Sequence, residues 1–167
     1  MKTTARILAL ILVLTTIGCD RVTKHLATAT LNGTPGRSYL ADTIRLEYAE
    51  NPGAFLSLGA RLPEWARTGI LTLGAFIGLA AVAVGAFTRH WKGTSLIGAL
   101  LFLGGGVSNL LDRIMRGAVV DFMNVGVGTF RTGIFNVADI AIMAGAALWI
   151  LGARREPNAS RNETGSL

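Results

Sequence analysis

The chain has 167 residues, of which 51% are hydrophobic and only 16% charged; an ordinary soluble domain carries about 25% charged residues, so a water-soluble globular domain and a disordered chain are both excluded. The net charge of +6 does not point to nucleic acid, because Lys and Arg flank apolar runs and form no phosphate-tracking stripe. A single cysteine, Cys19, rules out an intrachain disulfide, and neither His25 nor His90 has the neighbours of a metal site, so no metal or cofactor is expected.

The first apolar segment runs from Ile7 to Gly18 behind Lys2 and Arg6. A basic start, a short apolar run and then Cys19 also fit a secretory or lipoprotein signal, although Thr16 stands where a lipoprotein signal prefers Leu. Extended through Val22 to Leu26 the segment makes a retained span, and that reading is preferred. Asn32-Gly33 and Pro35-Gly36 mark turns. Between Thr43 and Tyr48 the apolar side chains Ile44, Leu46 and Tyr48 alternate with Thr43, Arg45 and Glu47, the period of a half-buried strand. Pro63 opens a helix and Trp65 lies at the level of a membrane interface.

Gly69–Phe87 is long enough to cross a bilayer, as is Leu96–Leu111 once Gly93 to Ser95 are added. A fourth segment, Phe135–Leu151, carries Asp139 near its start. Gly74 and Gly78, and Gly104 and Ser108, are spaced four apart, which suits close helix packing in lipid. The tail after Arg154 is polar and expected to be disordered. These elements predict an all-α membrane protein with four transmembrane helices and a small extracytoplasmic β element: a membrane domain over 1–152 and a cytoplasmic tail over 153–167. The density of Lys and Arg in 1–6, 88–93 and 152–167 places both termini in the cytoplasm.

Carboxylates near lipid are costly, so those at span ends are functional candidates. With four alternating spans, Asp20, Asn109, Asp112, Asn136 and Asp139 all lie at one membrane face, with Asp121 in the loop between the last two spans. Asn109 and Asp112 share a helix face, as do Asn136 and Asp139, and Asp139 is expected about 6 Å inside its span. Two carboxylates sharing one site hold one proton between them. Such a pair can polarise a carbonyl and activate water, which suits peptide hydrolysis. Asp121 and Asp139 are the expected pair. Asp112 is a structural rival, with Arg113 or Arg116 as its partner. A proton-coupled transporter or scaffold using the same carboxylates, or a lipoprotein anchored at Cys19, is the alternative at this stage.

Five motifs occur in order: Asp20-Arg21-Val22-Thr23-Lys24, Glu50-Asn51-Pro52-Gly53-Ala54-Phe55, Ser108-Asn109-Leu110-Leu111-Asp112-Arg113, Val119-Val120-Asp121-Phe122 and Phe135-Asn136-Val137-Ala138-Asp139. Together, across residues 5–152, they resemble lipoprotein signal peptidase, or signal peptidase II. The resemblance implies a four-span aspartyl protease of the bacterial inner membrane, with its active site at the outer face. Such an enzyme removes the signal peptide of prolipoproteins just before a cysteine that bears diacylglyceryl. The catalytic aspartates of that family correspond to Asp121 and Asp139. Its Asn-x-x-Asp-Arg motif corresponds to Asn109, Asp112 and Arg113, and its other polar site residues to Asp20, Lys24, Asn51 and Asn136. With those positions as the site, the amides of Asn51, Asn109 and Asn136 are expected to donate to a substrate. The implied partners are the prolipoprotein and membrane lipids. Ser108 stands where the family often has Gly, and Gly133-Ile134 where a Pro often precedes the last motif.

Overall fold

A computed structural model of the chain describes residues 3–53, 63–88 and 91–155. Ala54 and Phe55 of the second motif, His90, and residues 156–167 of the expected tail lie outside them. The helix α1 (Thr3–Leu31) runs unbroken through the exposed Cys19. It has 29 residues; at about 1.5 Å per residue it is longer than the roughly 30 Å of bilayer hydrocarbon. Its two halves differ. Ile7, Leu8, Leu10, Ile11 and Leu14 are exposed, whereas Asp20, Lys24, Ala27 and Leu31 form a buried stripe at spacings of four, three and four.

Strands β1 (Arg37–Tyr39), β2 (Ile44–Asn51), β3 (Val119–Val127) and β4 (Phe130–Arg131) form one antiparallel sheet in the order β1-β2-β3-β4. The alternation of residues predicts β2, whereas Val119–Val127 reads from sequence as loop. That segment lacks clean alternation because its first four residues are all buried, and a strand covered on both faces reads as a continuous apolar run. The β component is therefore larger than expected. The sheet rests on the C-terminal end of α1: Ala27, Leu31 and Phe122 are buried together, with Leu46, Tyr48, Met123 and Val137 packed against them.

Pairing of β2 with β3 shifts between Leu46, opposite Met123, and Ala49, opposite Asp121. Two residues, Glu47 and Tyr48, thus face Phe122 alone, which is a β-bulge. Past the bulge Asn51 pairs with Val119, so it lies diagonally across from Asp121 on the same face of the sheet.

The remaining helices are α2 (Glu64–Thr88), α3 (Gly93–Arg116) and α4 (Val137–Arg155). Within them, Thr68–Ala86, Gly93–Arg116 and Val137–Arg154 are long and apolar enough to cross a membrane. They expose Ile70, Leu73, Phe76 and Ile77 on α2 and Ile140, Met143 and Ile150 on α4; large apolar side chains turned outward in this number suit a lipid surround. Trp65 is exposed at the start of α2, as an interfacial anchor would be.

The central helix is α3, and glycine sets its contacts. A methyl group on Gly105 would lie 2.5 Å from the Ala138 carbonyl oxygen, and one on Gly145 would lie 2.6 Å from the Phe102 nitrogen. Gly104 abuts Thr16 of α1 and Gly106 abuts Leu79 of α2. The expected packing role of Gly104 and Ser108 therefore holds. That of Gly74 and Gly78 does not: among the described residues nothing lies within 4 Å of a Cβ at either, because α2 turns that face away from the bundle. The chain reverses after α3 at Gly117, a left-handed C-cap (φ 76°) whose N–H donates to the Arg113 carbonyl at 3.0 Å.

Candidate active site

At the sheet end of the bundle, five elements (α1, β2, α3, β3 and α4) bring their polar side chains to one place. Helix α4 begins two residues later than the apolar run suggests. Phe135 is drawn into a β-bridge with Met123, and Asn136 becomes the N-cap. Its amide oxygen accepts the Asp139 N–H at 2.9 Å, and the Asp139 carboxylate accepts the Asn136 N–H at 3.1 Å. This is a capping box written with Asn and Asp. Asp139 is the third residue of its helix, shallower than the sequence reading placed it.

The side-chain nitrogen of Asn136 donates to Asp121 Oδ1 at 2.6 Å. One buried residue thus donates to both carboxylates, from its side chain to Asp121 and from its backbone to Asp139. Asp121 also accepts from Asn51 Nδ2 at 3.1 Å, the contact the bulge makes geometrically available. Asn51 in turn accepts the Gly53 N–H at 2.9 Å, closing a tight turn in which Gly53 has φ +99° and a Cβ would collide with Leu71 of α2. Asp121 is 3% exposed. Loss of hydration is the main reason its carboxyl is pushed up to about 6, against donation from Asn51. The Asp139 charge raises it further, while Asn136 and Lys24 oppose the rise.

Beneath the pair lies a buried ionic cluster joining α1 to α3. The Lys24 ammonium meets Asp20 Oδ2 and Asp112 Oδ2, each at 2.8 Å, and Asn109 Oδ1 at 2.7 Å. Arg21 pairs with Asp112. The expected Asp112 partners were Arg113 or Arg116; the cations that reach it come instead from α1, because Asp112 faces the bundle and α1 packs there. Asp20 accepts from Ser108 Oγ at 2.7 Å and from the Ala138 N–H at 2.8 Å, within the first turn of α4. Ser108, where the family often has Gly, is thereby used as a donor. Asn109 Nδ2 donates to Asp139 Oδ1 at 2.8 Å.

All nine candidate residues therefore converge, with one change of role. Each of the amides of Asn51, Asn109 and Asn136 donates to a carboxylate of the pair. Arg113 lies close enough to feel the charges of Asp139, Asp121 and Asp112, and its buried Nε has no hydrogen-bond partner among the described residues. The sequence assigns no role to Arg21 and only a packing role to Ser108. The signal for Arg21 was its place beside Asp20 in the first motif; Ser108 offered only its spacing from Gly104. Among the described residues no three His, Cys, Asp or Glu side chains gather as a metal cage.

Two acids, three amides and a neutralised ion cluster at the end of a membrane bundle suit water-mediated cleavage of an amide bond. Comparison with known proteins agrees: residues 12–154 match the family described as Signal peptidase (SPase) II. The chain belongs to the signal peptidase II family. It is 39% identical over 137 residues to the lipoprotein signal peptidase of Sphingopyxis alaskensis, covering 80% of this chain and 78% of that one. It is 32% identical over 154 residues to that of Rhodococcus jostii, covering 87% and 72%. A solved bacterial membrane enzyme shares the fold, with a TM-score of 0.77 at 19% identity over 95% of this chain and 94% of its own. As a signal peptidase II the protein is a membrane protease of lipoprotein processing.

Proposed function

We propose that the protein cleaves diacylglyceryl-modified prolipoproteins immediately before the lipidated cysteine, with Asp121 and Asp139 as the catalytic pair. The observation that carries this reading is Asn136, whose side-chain nitrogen donates to the Asp121 carboxylate and whose backbone N–H donates to the Asp139 carboxylate. One carboxyl of the pair is protonated and donates to the scissile carbonyl oxygen. The other takes a proton from water, whose oxygen attacks the carbonyl carbon. As the tetrahedral intermediate collapses, the C–N bond breaks and the cysteine nitrogen leaves with a proton as a free amine. Arg113, with its unpartnered Nε, is placed to hold the substrate backbone near the pair.

The reading extends to topology. Helix α1 is the fourth span, given its length and its exposed apolar N-terminal half. Both termini are cytoplasmic, and the sheet and the pair lie at the outer face of the bacterial inner membrane, where the acyl chains of the substrate stay in lipid. Incubation of the purified enzyme with a diacylglyceryl precursor tests the assignment. Cleavage before the modified cysteine is expected, together with its loss in Asp121→Asn and in Asp139→Asn. Near-normal turnover in either variant removes that residue from the reaction.

A further inference from the structure

We propose that Lys24 is a positioning residue: its ammonium sets the direction of the Asn109 amide, and so keeps Asp139 as the hydrogen-bond-accepting, ionised member of the pair. The inference rests on the assignment of Asp121 and Asp139 as the reacting groups. A carboxamide is nearly symmetric in shape, so packing alone does not decide which end faces which neighbour. Here chemistry decides. The three donors of Lys24 meet three oxygens: Asp20 Oδ2, Asp112 Oδ2 and Asn109 Oδ1. Only the oxygen end of Asn109 can face an ammonium, because the nitrogen end would set donor against donor. The Asn109 NH2 group must then point the other way, and it lies 2.8 Å from Asp139 Oδ1.

Asp139 Oδ2 is occupied by the Asn136 N–H. Both oxygens of Asp139 thus accept, at the positive end of α4. Were Asn109 free to turn over, its oxygen would face Asp139 and favour a proton there, moving the proton of the pair to the wrong partner. The charged groups around Asp139 are Asp121 on β3, Asp112 and Arg113 on α3, and Asp20, Arg21 and Lys24 on α1. Arg21 is engaged with Asp112, which leaves Lys24 as the cation touching the amide; the same oxygen also accepts from the neutral Asn136 Nδ2, at the longer distance of 3.3 Å against 2.7 Å for Lys24.

The test uses the full-length enzyme and a diacylglyceryl precursor across pH. Lys24→Met alone strands buried Asp20, so the main variant pairs Lys24→Met with Asp20→Asn. That double variant keeps the ion cluster neutral and keeps an oxygen for the Ala138 N–H. Expected are a fall in kcat of about 100-fold with KM little changed, and an acidic limb of the pH profile raised by about one unit. In an Asn109→Ala background the same two changes should add no more than about threefold, since they act through that amide. A folded double variant with the wild-type acidic limb, or an undiminished loss in the Asn109→Ala background, overturns the proposal. Should the double variant not fold, Asn109→Ala decides alone: an unmoved acidic limb overturns the proposal. Asp139→Asn measured in parallel separates the two levels, because retained activity there defeats the pair itself.

Discussion

Asn136 and Asp139 bind each other twice, amide oxygen to N–H at 2.9 Å and carboxylate to N–H at 3.1 Å, while the Asn136 nitrogen reaches Asp121 at 2.6 Å. The cap that starts α4 is therefore also the link between the two acids. A helix cap substitution by alanine costs about 1 kcal/mol, a loss a bundle of this size can absorb. Misplacing reacting groups by an ångström can cost about 100-fold in rate. Asn136→Ala is thus expected to lower kcat by about that factor while the thermal unfolding temperature in detergent falls only modestly. Comparable loss of fold and of rate would reduce Asn136 to a structural cap.

Burial raises the Asp121 carboxyl from 3.8 to about 6. Between those values the native protein holds a proton that the unfolded chain releases, so stability falls as pH rises through that window. Asp121→Asn is expected to abolish cleavage and to remove this decline, leaving unfolding between pH 4 and pH 6 nearly flat. For the active enzyme, kcat/KM should bend downward as pH rises through about 6, where the pair loses its shared proton. A profile flat from pH 5 to pH 8 would contradict the shared proton.

Donation from Asn51 holds the Asp121 carboxyl lower than burial alone would leave it. Asn51→Ala removes that donor, which favours the protonated form. The alkaline limb of kcat/KM should move to higher pH, and kcat should fall as the turn at Gly53 loses its acceptor. An unchanged limb would place Asn51 outside hydrogen-bond reach of Asp121 in the working enzyme.

The glycines separate into two kinds. Gly105→Ala sets a methyl against the Ala138 backbone beside Asp139, where no side chain can yield, and is expected to destabilise the bundle by about 1–3 kcal/mol and to reduce cleavage. Gly78→Ala meets open space and should leave stability and activity near wild type or slightly improved. Thermal unfolding of the two variants in one detergent distinguishes them; equal loss would show that the outer face of α2 is packed against something.

The pattern of apolar runs, the alternation at Ile44 to Tyr48 and the order of the five motifs were enough to predict a membrane bundle, a strand at Ile44 to Tyr48 and the convergence of Asp121 with Asp139. These are local signals: residue type and period carry them, and span alternation alone sorts span-end residues onto one face. Tertiary structure decided the rest. Val119–Val127 reads as loop because both faces of its first half are covered, which depends on α1 and α4 and not on the segment itself. Asp112 finds Arg21 and Lys24 because α1 packs on α3 there, though nearer basic residues follow it in sequence. Only the bulge opposite Phe122 places Asn51 diagonally across from Asp121, and the ammonium of Lys24, joined by the Asn136 amide nitrogen, fixes which end of Asn109 faces Asp139. Register and amide direction are set by partners far away in the chain, and no local pattern of residues encodes them.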